Sequence, residues 1–184
     1  ATLAGADVIN IGLASTDMLY FASGHLQMAG AMITASHNPA EYNGLKMMIA
    51  GEALWGEEIL NLRDQINNGL PSPAQIAGKV SQQNIEAAYF KRITSDIKLS
   101  TPLKVAVDCG NGSPGAFAPA LLRQLGCEVT ELFCEVDGSF PNHHPDPAQP
   151  ENLEDLKHCL SSTDAEIGLA FDGDGDRLGV VTKD

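Results

Sequence analysis

Lys104-Val105-Ala106-Val107-Asp108-Cys109 is an apolar run that enters Gly110-Asn111-Gly112-Ser113-Pro114-Gly115. Ala116–Leu125 then takes up helical spacing, and Glu128–Phe133 is a second strand-like run. Strand, glycine-rich turn, helix and strand in that order form a crossover unit, whose two strands lie parallel. Downstream come a Pro-rich loop over Asp137–Pro150, a helix over Leu153–Ser161 and a strand over Glu166–Phe171. Upstream, Asp7–Ile11 reads as a strand, Thr16–Ser23 as a helix, Gly30–Thr34 as a short buried strand and Leu45–Ala50 as a returning one. Leu54–Asn67 reads as a helix with Leu54, Ile59, Leu62 and Ile66 broadly on one face. Asn68-Gly69-Leu70-Pro71-Ser72-Pro73 breaks that pattern before a further helix over Ile85–Ile97. The expected fold is α/β: two consecutive units with mainly parallel mixed sheets.

A chain of 184 residues is one large domain or parts of two. It starts at Ala1-Thr2-Leu3-Ala4-Gly5, like the last turn of a helix with its glycine stop. It closes on Gly179-Val180-Val181-Thr182-Lys183-Asp184, like a strand cut before its turn, so an internal piece of a longer protein is expected. Eleven Lys and Arg against 24 Asp and Glu leave a formal charge of −13, which argues against a nucleic-acid partner. Phosphate ligands remain compatible, because a bound metal or a few local cations outweigh the global field. No apolar run approaches the roughly 20 residues that span a bilayer, and no signal peptide is visible, so no membrane partner is expected. Cys109, Cys127, Cys134 and Cys159 form no C-x-x-C pair and read as reduced, buried thiols of a cytoplasmic protein.

Two loops sit where chemistry is expected, beyond the carboxyl ends of strands. The first is Thr34-Ala35-Ser36-His37-Asn38-Pro39-Ala40-Glu41-Tyr42-Asn43-Gly44-Leu45-Lys46. Ser36 follows a strand and precedes Asn38-Pro39, a turn whose free N–H groups suit an anion. A serine needs a base or a metal to act as nucleophile, and adjacent His37 points away from it on extended backbone. There is no G-x-S-x-G elbow. The same residues also fit a simple turn capped by Thr34, Ser36 and Asn38. The second loop is Asp172-Gly173-Asp174-Gly175-Asp176-Arg177, in which alternating glycines let three carboxylates converge. Three hard oxygen donors suit Mg²⁺ or Ca²⁺. An EF-hand is excluded, since Arg177 stands at the sixth place and Lys183 at the twelfth. Few protein ligands leave coordination positions for a phosphate oxygen, and Arg177 suits bidentate phosphate binding. The alternative is a solvated acidic turn.

Gly110–Gly115 also matches G-x-G-x-x-G between strand and helix, with Glu131 and Glu135 after the next strand. A dinucleotide-binding domain is therefore the rival from another class, against glycines needed only for tight packing. His143 and His144, in a proline-rich loop, read as site-edge or structural residues rather than metal ligands.

Thr34–Pro39 with Asn43–Lys46, followed by Asp172–Arg177, resembles the α-D-phosphohexomutase superfamily. Asp108–Gly112, Phe140–Pro147 and Pro150–Leu153 are similar to its bacterial phosphomannomutase/phosphoglucomutase branch. The resemblance implies a fragment of a four-domain enzyme: residues 1–78 as the C-terminal part of domain 1 and 79–184 as domain 2. It implies a phosphosugar mutase that interconverts hexose 1-phosphate and 6-phosphate, of mannose and glucose, through a phosphoserine and a bisphosphorylated sugar. Ser36 would be the phosphoserine, and its oxygen would join Asp172, Asp174 and Asp176 in holding Mg²⁺. Lys46 would be a general acid/base, its pKa lowered by desolvation beside other cations. His37 and Asn38 would line the phosphate site, and Arg177 would contact the phosphoserine region. Glucose 1,6-bisphosphate is implied as activator and small-molecule sugar phosphates as partners. Further domains of the same chain would complete the site, leaving the fragment alone inactive. Phosphoglucosamine mutase is the nearest rival within the family.

Overall fold

A computed structural model describes residues 1–39, 41–70 and 72–183; Ala40 of the first loop, Pro71 of the breaker and terminal Asp184 lie outside the described residues. Nine strands and five α-helices run in the order β1 (Val8–Asn10), α1 (Thr16–Leu26), β2 (Gly30–Ile33), β3 (Leu45–Ile49), β4 (Glu52–Ala53), α2 (Glu57–Asn67), β5 (Val80–Gln82), α3 (Glu86–Asp96), β6 (Lys104–Asp108), α4 (Ala118–Gln124), β7 (Glu128–Leu132), α5 (Glu154–Ser162), β8 (Ile167–Phe171) and β9 (Leu178–Val181) among the described residues. The expected α/β alternation is present. The sheets are mixed: β6 pairs parallel with β7 and β8, and β1 with β5. The β2–β3–β4 meander and the β8–β9 hairpin are antiparallel.

The sheet ordered β7-β6-β8-β9 carries the core of the second unit. Alternation along β6 sends Ala106 to one face, where it packs with Leu156, Leu160, Ala165 and Ala170. Val105, Val107 and Cys109 face the other side with Cys127, under Ala118 and Leu122. Both faces of β6 are thus covered, which explains its continuous apolar run. A third cluster joins the units: Ala14, Met18 and Ala22 from the α1 region pack with Ile85, Phe90 and Phe117. Burying one such large side chain contributes about 1.5–3 kcal/mol.

Several elements differ from expectation. The helix expected from Leu54 begins at Glu57, because Ile49 and Glu52 pair across Ala50-Gly51 in a two-residue hairpin. Ala50 and Gly51 both have positive φ, 53° and 84°, as such a turn requires. Leu54 therefore takes no part in the α2 face. β5 was not expected; it is short and polar, and it forms by parallel pairing with β1. Thr2–Ala4 is a single 3-10 turn ended by Gly5 at φ 86°. Cys109 and Cys127 are buried, whereas Cys134 and Cys159 are only half-buried; all four are free thiols. No helix among the described residues is long and apolar enough to cross a membrane.

Candidate functional site

Three strand ends and one helix start meet at a single point. β2 delivers Ser36, β8 delivers the Asp172–Asp176 loop, β6 delivers the glycine turn, and α1 begins beside them.

Ser36 is a left-handed residue at φ 53°, a conformation costing a non-glycine residue about 1–2 kcal/mol. Its N–H donates to Thr34 Oγ1 at 2.9 Å, and the turn beyond it closes through Asn38 N–H to Ala35 O at 2.9 Å. The Ser36 hydroxyl donates to Asp172 Oδ2 at 2.8 Å and lies 3.3 Å from His37 Nδ1. His37 is thus within hydrogen-bond reach after all, because the backbone at Ser36 is left-handed and not extended.

The acidic loop is the connection of the β8–β9 hairpin. Gly175 N–H bonds to Asp172 O at 3.1 Å, and Arg177 N–H to Asp172 Oδ1 at 3.0 Å. Its backbone is clamped from two sides: Ser113 N–H donates to Gly173 O and Thr16 N–H to Asp174 O, each at 2.9 Å. One carboxylate oxygen from each of Asp172, Asp174 and Asp176 can be chosen so that all lie within 4.8 Å of one another. Asp172 and Asp174 are buried.

Cationic side chains answer this charge. Lys46 Nζ, projecting from β3, lies 2.6 Å from Asp176 Oδ2, 2.9 Å from Asp174 Oδ2 and 2.9 Å from Thr16 Oγ1. Burial pulls the Lys46 pKa down, but hydrogen bonds to Asp176 and Asp174 outweigh it, and the ammonium ends above its usual range. This corrects the expected lowering: the groups beside the lysine are carboxylates, not cations. Burial pushes Asp172 up, with the like charges of Asp174 and Asp176 adding to it. Asp174, equally desolvated, is nevertheless held below the usual carboxylate range by hydrogen bonds from Lys46 and Thr34. Arg177 spans two acids, with Nε 3.1 Å from Asp172 Oδ2 and Nη1 3.2 Å from Asp146 Oδ1.

Two atoms bear on what the site holds. Asp174 Oδ1 and Arg177 Nη2 are buried without any hydrogen-bond partner among the described residues. A bare carboxylate oxygen beside two further carboxylates fits a hard divalent cation, and a bare guanidinium nitrogen fits an anionic oxygen.

The structure therefore brings together Ser36, His37, Lys46, Asp172, Asp174, Asp176 and Arg177. Asn38 instead turns its Nδ2 back onto Ala35 O at 2.9 Å, and it lines a cleft of about 240 Å³ that also borders Ser36, Asn43, Asn111 and Ser113. Three neighbours of the cluster were not singled out in the sequence, Thr16, Asp146 and Asp17, and Thr34 was read there only as a turn cap. Asp17 sits in the first turn of α1, its pKa raised by burial and then by Asp176. Hydroxyl and carboxylate residues of this kind carry no signal until the fold brings them near the cluster.

The glycine turn serves packing. A Cβ on Gly112 would meet Gly173 O at 2.7 Å, and one on Gly115 would enter the Cys134 backbone. His143 is structural: its Nε2 is 3.0 Å from buried Asp108 Oδ2 and its Nδ1 is 2.9 Å from His144 O. The Asp108 bond raises the His143 pKa against the opposing effect of burial.

Residues 1–71 match the sequence family described as phosphoglucomutase/phosphomannomutase, alpha/beta/alpha domain I, and residues 87–184 match domain II of the same description. A phosphoglucomutase of Neisseria gonorrhoeae is 54% identical over 184 residues, covering 100% of this chain and 40% of that protein. A phosphomannomutase/phosphoglucomutase of Pseudomonas aeruginosa is 52% identical over 181 residues, covering 97% of this chain and 38% of that protein. The crystal structure of a phosphoglucomutase/phosphomannomutase family protein from Burkholderia thailandensis is 47% identical with a TM-score of 0.92, covering 100% of this chain and 42% of that one. The chain thus spans about two-fifths of the length of these relatives.

Proposed function

This chain belongs to the phosphoglucomutase/phosphomannomutase family, and on that premise we propose that it carries the phosphoserine and metal-binding parts of a phosphohexomutase site. The reaction is the interconversion of hexose 1-phosphate and 6-phosphate, with mannose and glucose phosphates as substrates and glucose 1,6-bisphosphate as activator. The observation that carries the reading is Ser36 Oγ 2.8 Å from Asp172, across the join between two loops 136 residues apart.

In the proposed cycle, phosphorylated Ser36 loses its phosphoryl group to a free hydroxyl of a hexose monophosphate. The P–O bond to Ser36 breaks and a P–O bond to the sugar forms. The bisphosphorylated sugar reorients, and its other phosphoryl group returns to Ser36. Mg²⁺, held by Asp172, Asp174, Asp176 and a phosphoserine oxygen, would supply charge neutralisation at the transferring oxygens. Lys46 is the proposed proton exchanger: its ammonium gives a proton to the leaving Ser36 oxygen, the resulting amine takes the proton of the attacking sugar hydroxyl, and the exchange runs in reverse when phosphoryl returns to Ser36. Its favoured ammonium form suits the donation that starts the exchange. Arg177 Nη2, buried and without a partner among the described residues, is the proposed contact for a phosphoryl oxygen, and His37 lines the same place. Asn38 shapes the loop beside it.

The proposed division runs at residues 78/79, with the phosphoserine loop before it and the metal loop after. Further domains of the whole protein complete the site, so the chain alone is expected to bind metal and phosphate without turning over sugar. A cytoplasmic location belongs to the same proposal. Dinucleotide binding is not favoured, because Gly112 and Gly115 stand where neighbouring backbone leaves no space for a side chain. Relative turnover of mannose and glucosamine phosphates separates the proposed activity from a phosphoglucosamine mutase.

The test incubates the complete protein with glucose 1,6-bisphosphate and Mg²⁺ and maps phosphopeptides by mass spectrometry. Phosphate on Ser36, absent from Ser36→Ala, is expected. An unmodified Ser36 in a folded, Mg²⁺-binding protein would falsify the phosphoenzyme.

A further inference from the structure

We propose that Thr34 is a positioning residue that ties the Asp174 carboxylate to the Ser36 backbone and so sets the metal loop and the nucleophile loop against each other. The inference rests on the reading of Asp174 as a Mg²⁺ ligand and of Ser36 as the phosphorylated residue.

A hydroxyl offers one donor and two acceptor lone pairs. Thr34 Oγ1 donates to Asp174 Oδ2 at 2.8 Å and accepts from the Ser36 N–H at 2.9 Å. The Thr34 N–H is itself held by Gly44 O at 3.0 Å, just beyond the paired ends of β2 and β3. The residue is thus anchored by the sheet before it reaches either partner, and its β-branched side chain has few rotamers to lose.

For Asp174 the consequence is a fixed orientation. Thr34 and Lys46 both bond Oδ2, while Oδ1 is buried with no partner among the described residues. Two bonds on one oxygen stop the carboxylate from rotating and keep the other oxygen available to a cation. For Ser36 the consequence is a fixed backbone. Its left-handed conformation is unfavourable without glycine, and the N–H bond to Thr34 offsets that tendency. The hydroxyl of Ser36 is then delivered 2.8 Å from Asp172. One side chain therefore sets both a metal-facing oxygen and the reacting oxygen.

Thr34→Val keeps the branched shape and removes the hydroxyl, whereas Thr34→Ser keeps the hydroxyl. In the complete protein, Mg²⁺ affinity is measured by calorimetric titration and Ser36 phosphorylation by mass spectrometry after mixing with glucose 1,6-bisphosphate. Loss of a group that holds a metal ligand weakens the metal by about 10–100-fold, so Thr34→Val is expected to bind Mg²⁺ at least about tenfold more weakly, and Thr34→Ser to stay within about threefold of the parent. At saturating Mg²⁺ the valine variant is also expected to phosphorylate Ser36 more slowly. A residue with only a packing role would lower the melting temperature and leave the Mg²⁺ affinity of the folded protein unchanged. If Thr34→Val does not fold, Thr34→Ala is read in the same way. Native Mg²⁺ affinity in the hydroxyl-free variant overturns the proposal. Native Mg²⁺ affinity in Asp174→Asn would instead overturn the metal site on which it rests.

Discussion

Replacing Gly173 by alanine tests the construction of the site most directly. A Cβ at that position would lie 2.2 Å from Ser36 O, against the 3.4 Å of ordinary contact, so one backbone must retreat by about 1 Å. The metal loop is the less able to move, because Ser113 N–H holds Gly173 O and Thr16 N–H holds Asp174 O. The Ser36 loop, half-buried and left-handed, gives way. A shift of that size lengthens the 2.8 Å contact between Ser36 Oγ and Asp172 beyond hydrogen-bond range. Misplacement of a reacting group by about 1 Å costs on the order of 100-fold in rate, and overpacking costs about 1–3 kcal/mol of stability. In the complete protein, Gly173→Ala should therefore phosphorylate Ser36 about 100-fold more slowly while still folding and still binding Mg²⁺. Rapid mixing with glucose 1,6-bisphosphate and quantification of the Ser36 phosphopeptide measures the rate. A rate within about threefold of the parent would refute the argument that the Ser36–Gly173 contact sets the reacting geometry.

Gly115→Ala should destabilise by about 1–3 kcal/mol in denaturant titration, since its Cβ would enter the Cys134 backbone, with no change in Mg²⁺ affinity. Leu156→Ala, at a side chain with no exposure, should cost about 2–5 kcal/mol in the same assay. The Asp108–His143 pair should show in the pH dependence of unfolding. His143 has a raised pKa in the folded state, so its contribution is complete below the ordinary histidine value of about 6.5 and fades as pH rises through the higher folded value. Asp108→Asn should lower stability at about pH 6 and flatten that decline; an unchanged profile would contradict it. Calorimetric titration with NAD should give no heat assignable to the glycine turn.

The two loops that meet at the candidate site were legible because each is local. Thr34–Pro39 and Asp172–Arg177 hold their decisive residues within a few positions, at strand ends where sheet geometry gathers ligands. The crossover unit from Lys104 to Phe133 was legible for a similar reason: its strands are buried on both faces and read as apolar runs. What escaped depends on distant partners. Val80–Gln82 has no apolar pattern and becomes a strand only because β1 accepts it. Thr34 and Asp174 stand 140 residues apart, and Arg177 and Asp146 stand 31 apart with α5 and β8 between them. The direction of the Lys46 shift escaped as well. It depends on whether carboxylates or cations surround the amine, and spacing along the chain does not say.

The 136 residues between Ser36 and Asp172 also set a schedule. A ribosome adds about 5–20 residues per second, so the serine loop is made roughly 7–27 seconds before the acidic loop that it meets. During that interval Ser36 has no Asp172 carboxylate beside it and is an ordinary alcohol. Thr34 still has an N–H to accept from, but no carboxylate to donate to. On the proposed function, reactivity would therefore arrive only once the acidic loop has been made and has met the serine loop, and a nascent chain would hold Ser36 in an inert form.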